Sequence, residues 1–242
     1  MRILAIFYGA VAYIFFTVSF LYTIAFIGDL AVPKTIDSGP VGPLVPSALI
    51  DLGLLGIFAV QHSLMARPAF KAVWTKIVPP VIERSTYVLF STLALDLICW
   101  QWRPLPATVW DVGPGLATTA LWGVYVLGWV VLLSSTFMIN HYDLFGLRQV
   151  WTYRRSGEVP PSEFQTPLFY RLVRHPLYLG FLMAFWAAPV MSQGRLLFAL
   201  GSTVYVLVAI QFEEHDLINV FGDRYRDYRR RVSMILPLPR GR

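Results

Sequence analysis

The residues best suited to chemistry cluster where a basic loop meets an apolar stretch, in the segment 170–180, YRLVRHPLYLG. Arg174, His175 and Tyr178 lie there within five positions of one another. Pro176 fits the first turn of a helix, where its missing backbone N–H is not needed. Arg174 and His175 then precede a helix N-terminus, whose unpaired N–H groups and positive dipole end favour a carboxylate or a phosphate. The segment therefore predicts an anion-binding site.

A pair of adjacent carboxylates, Glu213 and Glu214, ends the next apolar stretch. Because the turn Ser-Gln-Gly at 192–194 reverses the chain, we expect this pair at the level of His175. Carboxylates near lipid are unfavourable unless they have partners. The pair either accepts hydrogen bonds from the ribose hydroxyls or the ammonium group of a ligand, or forms a structural salt bridge with nearby arginines.

Aromatic side chains are frequent around both clusters. Their faces can stack on an adenine or hold a sulfonium by a cation–π contact, although an interfacial aromatic belt has the same composition, and we assign Trp186 to such a belt. A carboxylate-binding helix start, a carboxylate pair and aromatic faces together suit S-adenosylmethionine, which is zwitterionic, cationic and carries a nucleoside. The aromatic residues are Tyr170, Tyr178, Trp186, Phe212, Tyr225 and Tyr228.

The four histidines each lie at the predicted cytoplasmic end of an apolar segment, which predicts a polar chamber at that face; they are His62, His141, His175 and His215. A haem or metal site in a helical bundle needs histidines on facing helices, often with a carboxylate. His62 and His141 are the candidates, but the sequence has no His-x3-His pair and no Glu-x-x-His motif. We therefore predict no metal site and keep a membrane haem or redox protein as an alternative.

Composition places these clusters in a membrane protein. Hydrophobic residues make up 56% of the 242 residues and charged residues 14%, with a mean hydropathy of +0.58, whereas soluble domains carry about 25% charged residues. The single cysteine, Cys99, lies in an apolar stretch, which excludes a disulfide within the chain and indicates a buried thiol. The net charge of +6 fits loops that face anionic lipid rather than nucleic acid.

Six apolar stretches are candidates for transmembrane helices in an all-α, polytopic bundle, or five if one of the last two does not cross fully. Lysines and arginines number seventeen on one side of this topology and three on the other. Both termini and the basic loops are therefore predicted to be cytoplasmic, in a membrane of the bacterial inner type. Alternating Arg, Tyr and Asp predict an interfacial helix at 223–231. The apolar stretches are 4–27, 47–65, 86–102, 116–139, 177–191 and 195–213.

We interpret the chain 1–242 as a single membrane domain with three parts. Residues 1–139 form the N-terminal helices, 140–176 form a cytoplasmic active-site loop, and 177–242 form a helical hairpin and tail that bind the cofactor. Long loops without obvious structure tend to be functional. We therefore expect substrate chemistry in the part 140–176.

Two sets of residues occur in an order and at distances that are specific in combination. The C-terminal set is RHPLY at 174–178, Glu213-Glu214, Phe221-Gly222, Tyr225, Tyr228, Val232 and Pro237. It resembles the C-terminal half of the isoprenylcysteine carboxyl methyltransferase and phospholipid methyltransferase group. The N-terminal set is QHSLMA at 61–66, ERSTY at 83–87 and NHYDLFGL at 140–147. It is similar to the NnrU/nurim-like branch, and within that branch to the methanethiol S-methyltransferases, membrane enzymes that make dimethyl sulfide.

The resemblance implies S-adenosylmethionine as the methyl donor, bound at the cytoplasmic face, and methanethiol as the small thiol acceptor. It implies a membrane lipid environment, and we predict neither nucleic acid nor an obligate protein partner. The cofactor site that it implies, to which we add Tyr225, consists of Tyr170, Leu172, Arg174, His175, Tyr178, Glu213 and Glu214.

Methyl transfer from a sulfonium is an in-line displacement that depends mostly on alignment of the reactants. A small alkyl thiol must lose its proton, and its pKa is expected to exceed the value of about 8.5 for cysteine. We predict His141 as the base, Asp143 as the group that orients it and Asn140 as a hydrogen-bond partner. An arginine of the tail, Arg229 or Arg230, is predicted to stabilise the thiolate.

Two further alternatives stay open. The acceptor is a lipid or a prenylcysteine-type thiol if a lateral opening between helices admits a long chain. The chain is a non-catalytic structural membrane protein if it binds no cofactor.

Overall fold

The computed structural model describes residues 2–156 and 166–237, which form helices and one two-stranded sheet. Their contacts divide them into two compact units. Unit 1 comprises the chain up to Ala107 together with residues 141–156 and 192–198, and unit 2 comprises 108–140, 166–191 and 199–237.

The elements follow one another as helices of very different length. A 3-10 helix, Leu168–Arg171, lies between α7 and α8. In chain order the other elements are α1 (Arg2–Gly28), α2 (Leu44–Ala66), α3 (Pro68–Trp74), α4 (Pro80–Gln101), β1 (Thr108–Asp111), α5 (Leu116–Ile139), α6 (His141–Leu144), α7 (Leu147–Ser156), α8 (Pro176–Trp186), β2 (Val190–Ser192), α9 (Gln193–Phe221) and α10 (Asp223–Arg231).

Four of the described helices, α1, α2, α5 and α9, are long and apolar enough to cross a membrane. The shortest has 23 residues, which at about 1.5 Å per residue exceeds a hydrocarbon core of about 30 Å. These helices make the fold the all-α, polytopic membrane bundle that the composition predicts. The helix predicted at 223–231 is also confirmed, because α10 occupies these residues.

The predicted count of five or six spans is not confirmed. Helix α4 has 22 residues but carries Glu83, Arg84 and Asp96. Helix α8 has only 11 residues, or about 16 Å, because the apolar stretch continues past Trp186 into β2. Helix α9 in turn continues to Phe221. Glu213 and Glu214 therefore lie inside this helix rather than at its end.

Unit 1 has an aromatic core that reaches from α1 to α6. Met65, Tyr87, Val88 and Phe145 are buried together there. Gly146 follows with a φ of +85°, and a Cβ at this position would lie 2.6 Å from Oγ of Ser85. Glycine is therefore required where the chain turns from α6 into α7.

Charged side chains at the other end of unit 1 are paired. Nε of Arg195 lies 2.6 Å from Oδ2 of Asp37, and its Nη2 lies 3.7 Å from Oδ2 of Asp29. The fully buried Asp51 accepts a hydrogen bond of 2.8 Å from the backbone N–H of Arg103. These contacts hold the segments that follow α1, α4 and β2.

Unit 2 is organised around a close approach of α5 and α8. A Cβ on Gly128 would lie 2.7 Å from the carbonyl oxygen of Gly180, and a Cβ on Gly180 would lie 2.6 Å from the carbonyl oxygen of Gly128. Small residues allow membrane helices to pack at such short distances. Trp129 packs edge-on against Phe181 and Phe185 beside this contact. The middle of α8, at the end of the segment 170–180, is thereby held against α5.

Candidate functional site

The cofactor residues predicted from the sequence are grouped around a buried ion pair in unit 2. Nε of Arg174 lies 2.7 Å from Oε1 of Glu214, and each side chain is 3% exposed. Nε2 of His175 lies 3.2 Å from the same oxygen, and Nε of Arg229 lies 3.1 Å from Oε2. The sequence left two interpretations of the carboxylate pair open, ligand binding and a structural salt bridge. Glu214 forms the salt bridge.

Glu213 differs from its neighbour because its side chain is 43% exposed. Its Oε2 lies 3.8 Å from Nδ1 of His175, which is itself buried. His175 therefore lies between one enclosed carboxylate and one accessible carboxylate. Glu213 is the member of the pair whose carboxylate a ligand can reach.

The tail after α10 completes this cluster through its backbone. The N–H groups of Arg174 and His175 donate to the carbonyl oxygens of Ser233 and Met234, at 2.8 and 3.1 Å. Nη1 of Arg174 donates to the carbonyl oxygens of Arg229 and Val232. Arg174 is thus anchored by Glu214 and by the tail together, immediately before α8 begins at Pro176 as the sequence predicts.

Three buried tyrosines surround the ion pair. The hydroxyl of Tyr228 donates to the carbonyl oxygen of Tyr170, and the hydroxyl of Tyr170 lies 3.5 Å from the carbonyl oxygen of Ser135. The ring of Tyr225 lies 5.8 Å from that of Tyr228. Burial raises the pKa of all three hydroxyls, that of Tyr228 to about 12. The tyrosines are therefore neutral at physiological pH.

Tyr178 and Leu172 occupy different surroundings. The ring of Tyr178 lies 5.7 Å from that of His175 and packs against the buried Val206 and Ile210. Leu172 is 63% exposed. Tyr178 thus adjoins the cluster through His175, whereas Leu172 lies exposed two positions before Arg174.

His141, the predicted base, is buried in unit 1 at the start of α6. Its Nε2 lies 2.7 Å from the hydroxyl of Tyr13, a residue of α1. Its ring contacts that of Phe145, with centroids 4.7 Å apart. Burial lowers the pKa of His141 below its ordinary value, so that the neutral imidazole predominates at pH 7.

Asp143, predicted to orient His141, contacts two side chains of α7. Its Oδ1 accepts a hydrogen bond of 2.6 Å from Gln149, and its Oδ2 lies 3.3 Å from Nη1 of Arg148. The hydroxyl of Tyr13 lies at Nε2 of His141. Sequence reasoning missed Tyr13 because it lies 128 positions from its partner, inside an apolar run without any local pattern.

Asn140 and Arg230 belong to unit 2. Asn140 caps the C-terminus of α5, and its backbone N–H donates to the carbonyl oxygen of Thr136 at 3.2 Å. The side chain of Arg230 is 75% exposed and pairs with Asp227 on the same helix. Of the two tail arginines considered, Arg229 is the one that contacts the buried ion pair.

The second histidine of unit 1 that the sequence singled out also pairs with a tyrosine. Nε2 of His62 lies 2.8 Å from the hydroxyl of Tyr87, and its Nδ1 lies 3.1 Å from Oγ of Ser91. Within residues 2–156 and 166–237, no three His, Cys, Asp or Glu side chains are grouped so that they can hold a metal ion.

A cleft of about 320 Å³ lies along α1 and α4 in unit 1. Ser19 donates to Oδ2 of Asp96 there, at 3.0 Å. Neither Tyr13 nor His141 is among the residues that line this cleft. The cleft is lined by Val18, Ser19, Tyr22, Lys34, Asp96, Cys99 and Trp100.

Comparison with known proteins matches residues 51–233 to the family described as NnrU protein. The chain is 55% identical over 238 residues to the methanethiol S-methyltransferase of Mycobacterium tuberculosis, covering 98% of both chains. It is 54% identical over 236 residues to methanethiol S-methyltransferase 2 of Bradyrhizobium diazoefficiens, covering 98% of this chain and 91% of that protein.

A more distant similarity links the chain to an animal protein. It is 35% identical over 181 residues to nurim of Bos taurus, covering 69% of this chain and 66% of nurim. No solved structure matches the chain.

Proposed function

This chain belongs to the NnrU protein family, and on that premise we propose that it is a membrane methyltransferase that transfers the methyl group of S-adenosylmethionine to methanethiol and forms dimethyl sulfide. The observation that carries the proposal is the 55% identity, over 98% of both chains, to a methanethiol S-methyltransferase. A second relative of that name is 54% identical. Identity of this extent along the whole chain favours a shared reaction over a shared fold alone.

The chemistry of the unit 2 cluster fits the proposed methyl donor, which supplies an electrophilic methyl group when it is bound. The positive dipole end at the start of α8 suits a carboxylate. The accessible carboxylate of Glu213 suits an ammonium or ribose hydroxyls, and the ring of Tyr178 suits an adenine or a sulfonium. Leu172 adds apolar contact.

The buried members of the cluster have a supporting role in this proposal. Arg174 and Glu214 neutralise each other at 2.7 Å and fix His175 at the start of α8. Tyr170 and Tyr225 enclose the pair and keep water away from it. A charge pair that is held in advance keeps the ligand-facing groups in place without reorganisation at the moment of reaction.

For the acceptor, we keep His141 as the residue that takes the proton of the thiol. A histidine acts as a base only when it is unprotonated, and burial favours the neutral imidazole. Asp143 would hold α6 through Arg148 and Gln149, while Asn140 remains a candidate hydrogen-bond partner and Arg230 a candidate cation for the thiolate.

We further propose that both termini and the cofactor cluster face the cytoplasm of a bacterial-type inner membrane. The excess of lysine and arginine on that side of the sequence supports this orientation. Accessibility of an engineered cysteine beside Glu213 to a membrane-impermeant thiol reagent, in intact cells and in inverted vesicles, tests it.

The function is tested with purified protein in detergent, S-adenosylmethionine and methanethiol, by headspace gas chromatography of dimethyl sulfide. We expect product that depends on both substrates. Cofactor binding in calorimetry without product would reject the thiol acceptor and retain a methyltransferase for a lipid or prenylcysteine-type thiol. Folded protein that binds no S-adenosylmethionine would reject both, and a Soret band in its absorption spectrum would indicate a haem protein.

A further inference from the structure

The partner of His141 in unit 1 is a tyrosine that no sequence pattern indicates. The hydroxyl of Tyr13 lies 2.7 Å from Nε2 of His141, and the two rings meet edge-to-face at 89° with centroids 5.7 Å apart. Tyr13 is held in turn by Phe145, whose ring centroid lies 5.7 Å away. The bond is short, partly buried and joins two rings packed in the same core, so their mutual orientation is well defined.

The polarity of this bond decides what His141 can do. In a neutral imidazole one ring nitrogen donates a hydrogen bond and the other accepts one. If Tyr13 donates to Nε2, the lone pair of the ring is occupied and Nδ1 carries a hydrogen. If Nε2–H donates to Tyr13, Nδ1 carries the lone pair and is the nitrogen that can take a proton.

The second polarity is the one in which Nδ1 can act as the base. After Nδ1 has taken a proton, the Nε2–H bond to Tyr13 becomes charge-assisted and therefore stronger. An imidazolium in a buried site is unfavourable without such a partner. Titratable and charged groups lie on every element packed around this core. They include Tyr13 on α1, His62 on α2, Glu83, Arg84 and Tyr87 on α4, Tyr142 and Asp143 on α6, and Arg148 on α7, which lies 3.3 Å from Asp143.

We propose that Tyr13 is a positioning residue that accepts a hydrogen bond from Nε2–H of His141 and thereby makes Nδ1 the nitrogen that takes the proton of the thiol. The inference rests on the proposed function. In the step concerned, the S–H bond of the thiol breaks, its electron pair stays on sulfur as the thiolate, and the proton forms an N–H bond at Nδ1. The proton leaves to water after turnover, which restores the neutral ring.

The experiment is NMR of the full-length protein in detergent with 15N-labelled histidine, which distinguishes the two neutral tautomers and follows the pKa. The His141→Gln variant identifies the signal among the four histidines. We expect the Nε2–H tautomer in the unmodified protein. In Tyr13→Phe we expect the pKa of His141 to fall by about one unit or more, because the imidazolium loses a charge-assisted bond.

The kinetic counterpart is a fall in kcat of about tenfold or more in Tyr13→Phe, with KM for the thiol little changed and the acid limb of the pH profile moved to lower pH. The matched control is Tyr8→Phe, because Tyr8 is also on α1 and its hydroxyl bonds Oγ1 of Thr86 at 3.0 Å. This control is expected to leave the tautomer and the pKa of His141 unchanged.

An Nδ1–H tautomer in the unmodified protein, or a rise of the pKa in Tyr13→Phe, overturns the proposal. The tautomer of the unmodified protein decides the matter even if Tyr13→Phe does not fold. Failure of the proposed function is separate, since it is seen as absence of methyl transfer to any thiol, whatever the tautomer.

Discussion

Oε1 of Glu214 accepts from Nε of Arg174 at 2.7 Å, and the two side chains are 3% exposed. Glu214→Gln keeps the shape of the side chain and leaves the guanidinium buried without a counter-charge. Breaking a buried ion pair costs about 3–5 kcal/mol. We expect a large fall in melting temperature in detergent, with loss of cofactor binding as its consequence.

Glu213→Gln is the matched control one position away. Because this side chain is 43% exposed, we expect a change in unfolding free energy within about 0.5 kcal/mol and a weaker affinity for S-adenosylmethionine in calorimetry. Unchanged affinity in Glu213→Gln, with a stable Glu214→Gln that has lost binding, would reverse the roles assigned to the two carboxylates.

The contact of α5 with α8 predicts a strong effect of a single methyl group. Gly128→Ala and Gly180→Ala each place a Cβ within 2.7 Å of backbone atoms of the opposite helix. Overpacking of this kind costs about 1–3 kcal/mol. We expect a lower melting temperature and weaker cofactor binding in both variants. Gly123→Ala on α5 is the control, because outside the surrounding turns of α5 its new Cβ meets no atom of residues 2–156 and 166–237 within 4 Å.

We expect substitution of Arg229 to affect stability and substitution of Arg230 to affect activity. Arg229→Ala removes a contact of 3.1 Å to Glu214 and should lower the melting temperature. Arg230→Ala removes an exposed side chain and should leave the melting temperature unchanged. Because Arg230 is proposed to stabilise the thiolate, we expect this variant to lower kcat/KM about tenfold. Full activity of Arg230→Ala in the dimethyl sulfide assay would remove this residue from the proposed mechanism.

The pH dependence of turnover follows from the burial of His141. Its pKa is lowered from 6.5, so the neutral base persists below pH 6.5 and the acid limb of kcat/KM should lie below that value. The same burial makes the stability of the fold depend on pH. The folded state disfavours the charged ring, so His141 contributes stability above pH 6.5 that is lost as the pH falls. Measurement of kcat/KM and melting temperature against pH, with His141→Gln for comparison, tests both; an acid limb above pH 6.5 contradicts the role of His141 as base.

Local signals in the sequence predicted the elements that depend on them. Pro176 marks the start of α8, and the alternating charges at 223–231 mark α10. The end of α8 was not predicted, because an apolar run does not distinguish a helix from the strand that follows it, and β2 pairs with β1 from a distant part of the chain. Gly222 indicates where α9 ends, because it directly follows Phe221 and its φ of +57° suits a helix end.

The parts of the candidate site that the sequence predicted are residues adjacent in the chain and side chains of opposite charge. Arg174 and His175 adjoin each other, and a salt bridge from Glu214 to an arginine was one of two expectations. Contacts such as that between Tyr13 and His141 join residues 128 positions apart and arise from tertiary packing alone. No periodicity or spacing encodes them.

The tail contacts with Arg174 and His175 have a consequence for biosynthesis. A chain leaves the ribosome from its N-terminus, so the carbonyl groups of Val232, Ser233 and Met234 emerge after every described helix has been made. Until then the backbone N–H groups of Arg174 and His175 lack their acceptors. A truncated product that stops before Val232 would lack these acceptors, so we expect the proposed binding of S-adenosylmethionine to distinguish finished molecules from unfinished ones.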